Sequence, residues 1–249
     1  MTGPLSDKTA LVTGSAAGIG LACARGFARA GANVIVWGRK NLQVAVDQLG
    51  EFGVNVTAVE CDLADHANTT TTIKKIVEEH SIDILLNNAG IIRRAPAVDY
   101  SWDDWRDVLA VNLDAVFQIT QTVGASMIAR GQGGRIITLS SLLSFQGGVS
   151  VPAYTASKHA VSGLTKALAN EWAQYGITVN AIAPGYIETA NTEQLRADSD
   201  REKQIRARIP AARWGLPEDI VGPAVFLAGP DSAYINGHVL VVDGGWLAR

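Results

Sequence analysis

The sequence predicts a doubly wound α/β fold, a parallel sheet with helices on both faces, and three observations carry that prediction. Short apolar segments alternate with helix-periodic ones along the chain, a glycine-rich turn follows the first of them, and no linker breaks the series. TALVTG (9–14) is an apolar run stopped by glycine, and LACARGFARAG then repeats apolar residues at helical spacing up to Gly31. NVIVW (33–37) precedes the helical NLQVAVDQLGEFG, NVTAVEC (55–61) precedes a polar helix ending at Glu79, and DILLNN (83–88) precedes a long helix across 102–129. RIITLSS (135–141), a helix over 153–174, ITVNAIA (177–183), a helix near 217–228 and HVLVVD (238–243) complete the series. Seven strands apolar on both faces belong in a parallel sheet buried on each side, whose ligands bind beyond the carboxyl ends of the strands.

Composition narrows the chemistry. The 249 residues, 47% of them hydrophobic, suffice for one large core, and no Pro/Ser-rich or low-complexity tract divides them, so a single domain over 1–249 is expected. A formal charge of -3 with no basic block predicts no nucleic acid and no membrane as partner, and points to small molecules. The start MTGPLSDKTA has neither a basic nor an apolar leader region, and no apolar run approaches the ~18 residues of a membrane span. A cytoplasmic protein is therefore expected. Cys23 and Cys61 lack CxxC spacing, and His66, His80, His159 and His238 are scattered, so reduced thiols and no metal site are expected.

The motifs cluster at strand ends. TGSAAGIG (13–20) opens the first helix: Gly14 permits a tight turn, Gly18 lets a pyrophosphate approach the backbone, and Gly20 lets the helix pack on the sheet. An anion there meets the free N–H groups of a helix N-terminus, which makes Gly14, Ser15, Ala17, Gly18, Ile19 and Gly20 candidate dinucleotide contacts. The absence of a GK[ST] ending argues against a nucleoside triphosphate. After the second strand the expected acidic residue is replaced by Gly38, Arg39 and Lys40, which favours NADP(H) over NAD(H), because nothing repels a 2′-phosphate and a guanidinium neutralises it. Asp62, followed by Leu63, is placed to accept from an adenine amino group. In NNAG (87–90), Asn88, Ala89 and Gly90 allow a flat ligand close while the amides tie loops together; a plain turn is the competing reading. Asn112 sits among apolar residues inside a helix, where it requires partners.

YTASK (154–158) sets Tyr154 and Lys158 on one helical face, downstream of Ser141. A hydroxyl, a phenol and an ammonium near a nicotinamide suit hydride transfer to a carbonyl, with Ser141 polarising the oxygen and Tyr154 giving the proton. A free phenol titrates near pH ~10, so acting as a base near neutrality needs help of about 3 units, which Lys158 is expected to supply.

TGSAAGIG, NNAG, Asn112, Ser141, the Tyr154/Lys158 pair and Pro184-Gly185 together resemble the short-chain dehydrogenase/reductase family, over essentially the whole chain. The resemblance implies a tetrad of Asn112, Ser141, Tyr154 and Lys158, with Asn112 supporting a water-mediated relay behind the lysine. It also implies that Ile187 and Thr189, just past Pro184 and Gly185, contact the nicotinamide carboxamide, that 188–209 forms a substrate lid, and that the protein is a homotetramer. IIRRAP (91–96), LLSFQGG (142–148), APGYIETANT (183–192), RIPAARWGLPEDIVGP (208–223) and the ending DGGWLAR resemble the branch of that family acting on sugar acids of gluconate or deoxy-keto-gluconate type. That branch is associated with NAD, whereas WGRK favours NADP. Arg93, Arg94, Arg208, Arg213 and Arg249 lie near these loops, and a guanidinium fork suits a carboxylate. Arg94, Gln146, Tyr186 and Arg213 are the substrate candidates; adjacent arginines cannot both point inward, so at most one of Arg93 and Arg94 belongs to the site. Rival readings are a 3-oxoacyl-[acyl-carrier-protein] reductase, a non-catalytic dinucleotide-binding sensor or scaffold, and an epimerase on the same fold.

Overall fold

The structure, a computed structural model, describes residues 3–249. Seven strands form one parallel sheet: β1 (Thr9–Thr13), β2 (Asn33–Gly38), β3 (Val56–Glu60), β4 (Ile84–Asn87), β5 (Gly134–Leu139), β6 (Ile177–Pro184) and β7 (Val239–Val242). Their order is β3-β2-β1-β4-β5-β6-β7, so the winding reverses between β1 and β4. That reversal opens a crevice at the carboxyl ends of these two strands, where ligands of open α/β sheets bind.

Both faces of the sheet are buried, as continuous apolar strands require. Val12, Val34 and Leu86 face one layer, packed with Phe27, Leu49 and Leu227 from helices α1 (Gly18–Arg29), α2 (Leu42–Gly50) and α9 (Val221–Ala228). Leu11, Ile35 and Leu85, one residue out of phase, face α3 (His66–Glu79), α5 (Ala115–Arg130) and α6 (Pro152–Trp172) through Ile73, Ile119 and Trp172. A third, smaller cluster of Leu142, Ile205, Ile209, Trp214 and Trp246 gathers the segment after β6, including α7 (Glu193–Ala197) and α8 (Ser199–Arg208), against the C-terminal residues.

Two expected elements differ in detail. The long helix over 102–129 is α4 (Trp102–Leu109) and α5 joined by a π turn over Ala110–Asp114, with Asn112 at its centre. Ser141 does not end the fifth strand. The ladder to β6 stops at Leu139, opposite Ile182, with one further bond from Ser140 N to the Ile182 carbonyl. Ser141 then turns the chain, its hydroxyl accepting from Leu143 N at 3.2 Å.

Candidate active site

The loop after β1 is built to admit an anion. Helix α1 starts at Gly18 behind Ala17, which gives no side-chain cap, and its first turn carries no acid. Its leading N–H groups are thus left for an outside acceptor. Gly18 adopts φ +55°, a left-handed conformation that suits glycine, and a Cβ built there would be in ordinary contact with the Thr189 side chain, 3.6 Å away. At Gly20 a Cβ would lie 2.2 Å from the Gly14 carbonyl oxygen, so this glycine packs the helix on the loop after β1 and the Asn88 amide, where the sequence had pointed to packing on the sheet. The Asn88 amide donates to the Thr13 and Gly14 carbonyls at 2.9 and 3.1 Å, while Asn88 N and Ala89 N donate to the Thr13 hydroxyl. This ties the β4 loop to the β1 loop, the role expected of NNAG.

Ser15 requires a correction. It is 0% exposed, and its hydroxyl accepts from Trp37 N at 2.9 Å, so it anchors the loop to β2 and presents nothing to a ligand. Ala17 is exposed and Ile19 half-buried at the rim; Arg39 and Lys40 are exposed at the end of β2 beside half-buried Gly38. Asp62 is exposed with one oxygen accepting from Ala64 N, and Leu63 packs into the core. The uncapped helix start, the positive φ of Gly18 and the cations past β2 fit a dinucleotide phosphate set.

The proposed tetrad converges on the neighbouring strand ends. Pro152 starts α6, a position where its missing N–H costs nothing, which puts Tyr154 in the first turn and Lys158 one turn on. Lys158 is 5% exposed; its ammonium donates to the Leu139 carbonyl at 2.6 Å and lies 5.5 Å from the Tyr154 ring centre. Burial pulls its pKa down to about 8. Asn112 uses its whole amide: Oδ1 accepts from Ile91 N at 2.8 Å, and Nδ2 donates to Ile91 O at 2.9 Å and to the Ser157 hydroxyl at 3.3 Å. Ser157 in turn donates to the Tyr154 carbonyl at 2.8 Å. A Cβ on Gly90 would stand 3.3 Å from Asn112 Oδ1 and 3.9 Å from Lys158 Nζ, so these three groups share one small space.

The electrostatics around Tyr154 differ from the sequence expectation. Burial raises the phenol above its ordinary value; the Ser141 hydrogen bond and the Arg94 charge pull the other way. Lys158, its ammonium bound to the neutral Leu139 carbonyl and 5.5 Å from the Tyr154 ring centre, keeps its positive charge beside the phenol.

Ser141 and Tyr154 open onto a cleft of about 470 Å³ that is also lined by Arg94, Gln146, Tyr186 and Trp246. Arg94 donates to Asn191 O at 3.0 Å, bridging to the segment after β6, and Gln146 accepts from the Trp246 indole at 3.3 Å. Arg93 turns away to Asp104 and Asp107, so only one of the adjacent pair enters the cleft. Arg213 is a correction: its guanidinium forks onto Asp219 at 2.7 and 2.9 Å beside a separate cavity of about 170 Å³, away from Tyr154. That pair and the Trp214 carbonyl engage three of its N–H groups, and its cavity is not lined by Tyr154 or Ser141. Pro184 and Gly185 line the cleft, Ile187 is buried and bridges to Gly215, and Thr189 N donates to the Thr192 hydroxyl.

The profile of the family described as enoyl-(acyl carrier protein) reductase matches residues 14–247. A 2-dehydro-3-deoxy-D-gluconate 5-dehydrogenase of Bacillus subtilis (strain 168) is 52% identical over 246 residues, 98% of this chain and 96% of that protein. The chain belongs to the short-chain dehydrogenase/reductase family. It is an NAD(P)-dependent oxidoreductase acting on CH–OH groups. A crystal structure from Beutenbergia cavernae with bound NADP at low occupancy superposes with a TM-score of 0.97 at 53% identity, covering 99% of this chain and all of that one (100%). A gluconate 5-dehydrogenase from Burkholderia cenocepacia J2315, in complex with NADP and tartrate, gives 0.94 at 40% identity, covering 98% and 97%.

Within this short-chain dehydrogenase/reductase, three site features escaped the sequence reading. Ser140, Ser144 and Ser162 all donate to the Lys158 carbonyl, at 3.4, 2.6 and 3.1 Å, and hold that turn of α6 against the end of β5. Scattered serines give no pattern that reveals this. Arg201, Gln204 and Ile205 line the cleft from α8 together with Arg208, which the sequence had already placed near the site; the spacing of the four is one helical face, a signal the sequence did contain. Trp246 closes the cleft from the C-terminal turn, where the ending DGGWLAR offers no helical or strand periodicity. Among the described residues, no cluster of His, Cys, Asp or Glu could hold a metal, and no helix is long and apolar enough to cross a membrane.

Proposed function

We propose that this enzyme interconverts a secondary hydroxyl and a carbonyl on a sugar acid of gluconate or deoxy-keto-gluconate type, with NADP(H) preferred over NAD(H) and Tyr154 as general acid/base. The observation that carries this reading is one cleft onto which Ser141, Tyr154 and Arg94 all open, next to a loop built for a dinucleotide. The names of the relatives, a deoxy-keto-gluconate and a gluconate dehydrogenase, and the NADP and tartrate of the Burkholderia complex support the substrate class.

A bound nicotinamide supplies or accepts the hydride. Ser141 donates a hydrogen bond to the substrate oxygen, and the Tyr154 phenol gives or takes the proton at that oxygen. Lys158 fixes the floor of the site through Leu139 O and, still mostly protonated at neutral pH, keeps a positive charge beneath the Tyr154 ring. Asn112 holds Ile91 and, through Ser157, the start of α6. Arg39 and Lys40 neutralise a 2′-phosphate, and residues 188–209 act as a lid on a single 1–249 domain. The protein works as a homotetramer in the cytoplasm.

Absorbance at 340 nm, followed with NADP and NAD against gluconate, deoxygluconate, deoxy-keto-gluconate, simple polyols and acetoacetyl thioesters, tests the proposal. Turnover confined to sugar acids, with a lower KM for NADP, is the expected result. Preference for the thioester would favour the acyl-carrier-protein reading, and no turnover with any of them the non-catalytic one.

A further inference from the structure

We infer that the substrate carboxylate is held at the lid end of the cleft by the guanidinium of Arg208, with Arg201 beside it, so that the reacting carbon at Tyr154 is remote from the carboxylate. The inference rests on the sugar-acid reading above and adds an orientation and a specificity residue to it.

The pairing of arginines around the cleft mouth carries the argument. Arg93, Arg196, Arg206 and Arg213 are each matched to an acid, namely Asp104, Glu188, Glu202 and Asp219. Arg94, Arg201 and Arg208, the three that line the cleft, are in no ion pair among the described residues, and no Asp or Glu lines the cleft with them. A merely solvated lid face has no reason to neutralise the outward arginines and spare the inward ones. Unpaired cations in a concave wall concentrate an anion.

The three divide into two ends. Arg94 is tied to Asn191 O on the Tyr154 side, while Arg208 lies over Trp246, whose ring meets that of Tyr186 at 4.7 Å. Arg208 is also the prepared one. Its guanidinium lies 3.9 Å from the ring centre of Trp246, itself 4% exposed and fixed by Gln146, so the cation–π contact holds it against the cleft wall with its N–H groups in no ion pair among the described residues. It is not needed at the end of its own helix, where Arg249 donates to the carbonyls of Ala207 and Arg208.

The test compares wild type, Arg208→Gln, Arg208→Lys and Arg206→Gln with NADP on gluconate and on the uncharged hexitol of the same length. Arg208→Gln should raise KM for gluconate by about 10- to 100-fold, the loss of a charged hydrogen bond, with kcat within about threefold. Its hexitol kinetics and NADPH binding should stay as in wild type. Arg208→Lys should recover part of the lost affinity, and Arg206→Gln should match wild type on both substrates. An equal effect on gluconate and hexitol, or a fall in kcat with KM unchanged, would overturn the inference. So would a gluconate product whose new carbonyl, located by NMR, adjoins the carboxylate. A wild-type enzyme that turns over no sugar acid would instead sink the sugar-acid reading itself.

Discussion

Two cations lie near Tyr154, and their partners give them different tasks. Lys158 is buried with its ammonium on Leu139 O, so it serves as a fixed positive floor. Arg94 is exposed, tethered to Asn191 O, and is the charge that opposes the upward push of burial on the phenol. Removing a positive charge disfavours phenolate, so Arg94→Gln should raise the phenol's pKa. The acid limb of log kcat/KM for oxidation should then move to higher pH, by about one unit or less because the guanidinium is solvent-screened. A pH–rate profile that stays put or moves to lower pH would remove Arg94 from this role. The i, i+4 spacing of YTASK made Lys158 the obvious candidate. Spacing reveals which side chains share a face, but not which backbone acceptor captures the ammonium.

At the scale of elements, the π turn over Ala110–Asp114 is the feature that shapes the site most. One extra residue in the turn lets the Asn112 amide reach both backbone groups of Ile91, a loop residue that would otherwise lack partners. Asn112→Ala strands these groups, and the expected cost is about 1–3 kcal/mol in denaturant unfolding. A variant as stable as wild type would show that the clamp does not hold the loop. The Arg213–Asp219 pair steadies the loop before α9 in the same way. Hydrogen bonds from Arg213 and then Leu216 N hold the Asp219 carboxyl down at about 2, below its ordinary 3.8. A depressed carboxyl stabilises the fold above its unfolded pKa and ceases to as pH falls through the folded value. The gap in melting temperature between wild type and Asp219→Asn should thus be constant from pH ~8 to ~5 and close as pH falls from about 4 toward about 2. A gap that widens with acid would contradict the assignment.

The strands and helices were legible because both faces of the sheet are apolar and the helices keep a 3.6-residue period. The π turn was not, since five residues shift that period too little to register. Nor was the end of β5, because a strand stops where its neighbour's ladder stops, and here that neighbour lies 43 residues downstream, at Ile182. The loop glycines, Asn88, Asn112 and the Ser141–Tyr154 cleft were readable from residue type and order. The corrected residues differ in cause: the Ser15 hydroxyl is buried on Trp37 N, and Arg213 is paired with Asp219 at a cavity that Tyr154 does not line.

The whole molecule carries a formal charge of -3. At the amino ends of the strands, Asp83 pairs with Lys8 and Arg130 and accepts from Thr9 N. At the carboxyl ends, Arg39, Lys40, Arg94, Arg201 and Arg208 have no acidic partner among the described residues. These five cations lie at the end of the sheet where ligands of open α/β folds bind. Because such exposed charge is screened over about 10 Å at ~0.1 M salt, kcat/KM for a sugar acid should fall severalfold between about 20 and 200 mM NaCl while kcat barely changes. A salt-independent kcat/KM would deny this charged end any part in capture.

Proton transfer at Tyr154 is tested most directly by Tyr154→Phe, which keeps the ring over Lys158 and deletes the hydroxyl. NADPH titration by fluorescence and turnover at 340 nm, measured on the same preparation, should show cofactor affinity nearly unchanged and kcat lowered by ~10² or more. Near-normal kcat with intact NADPH binding would contradict the account.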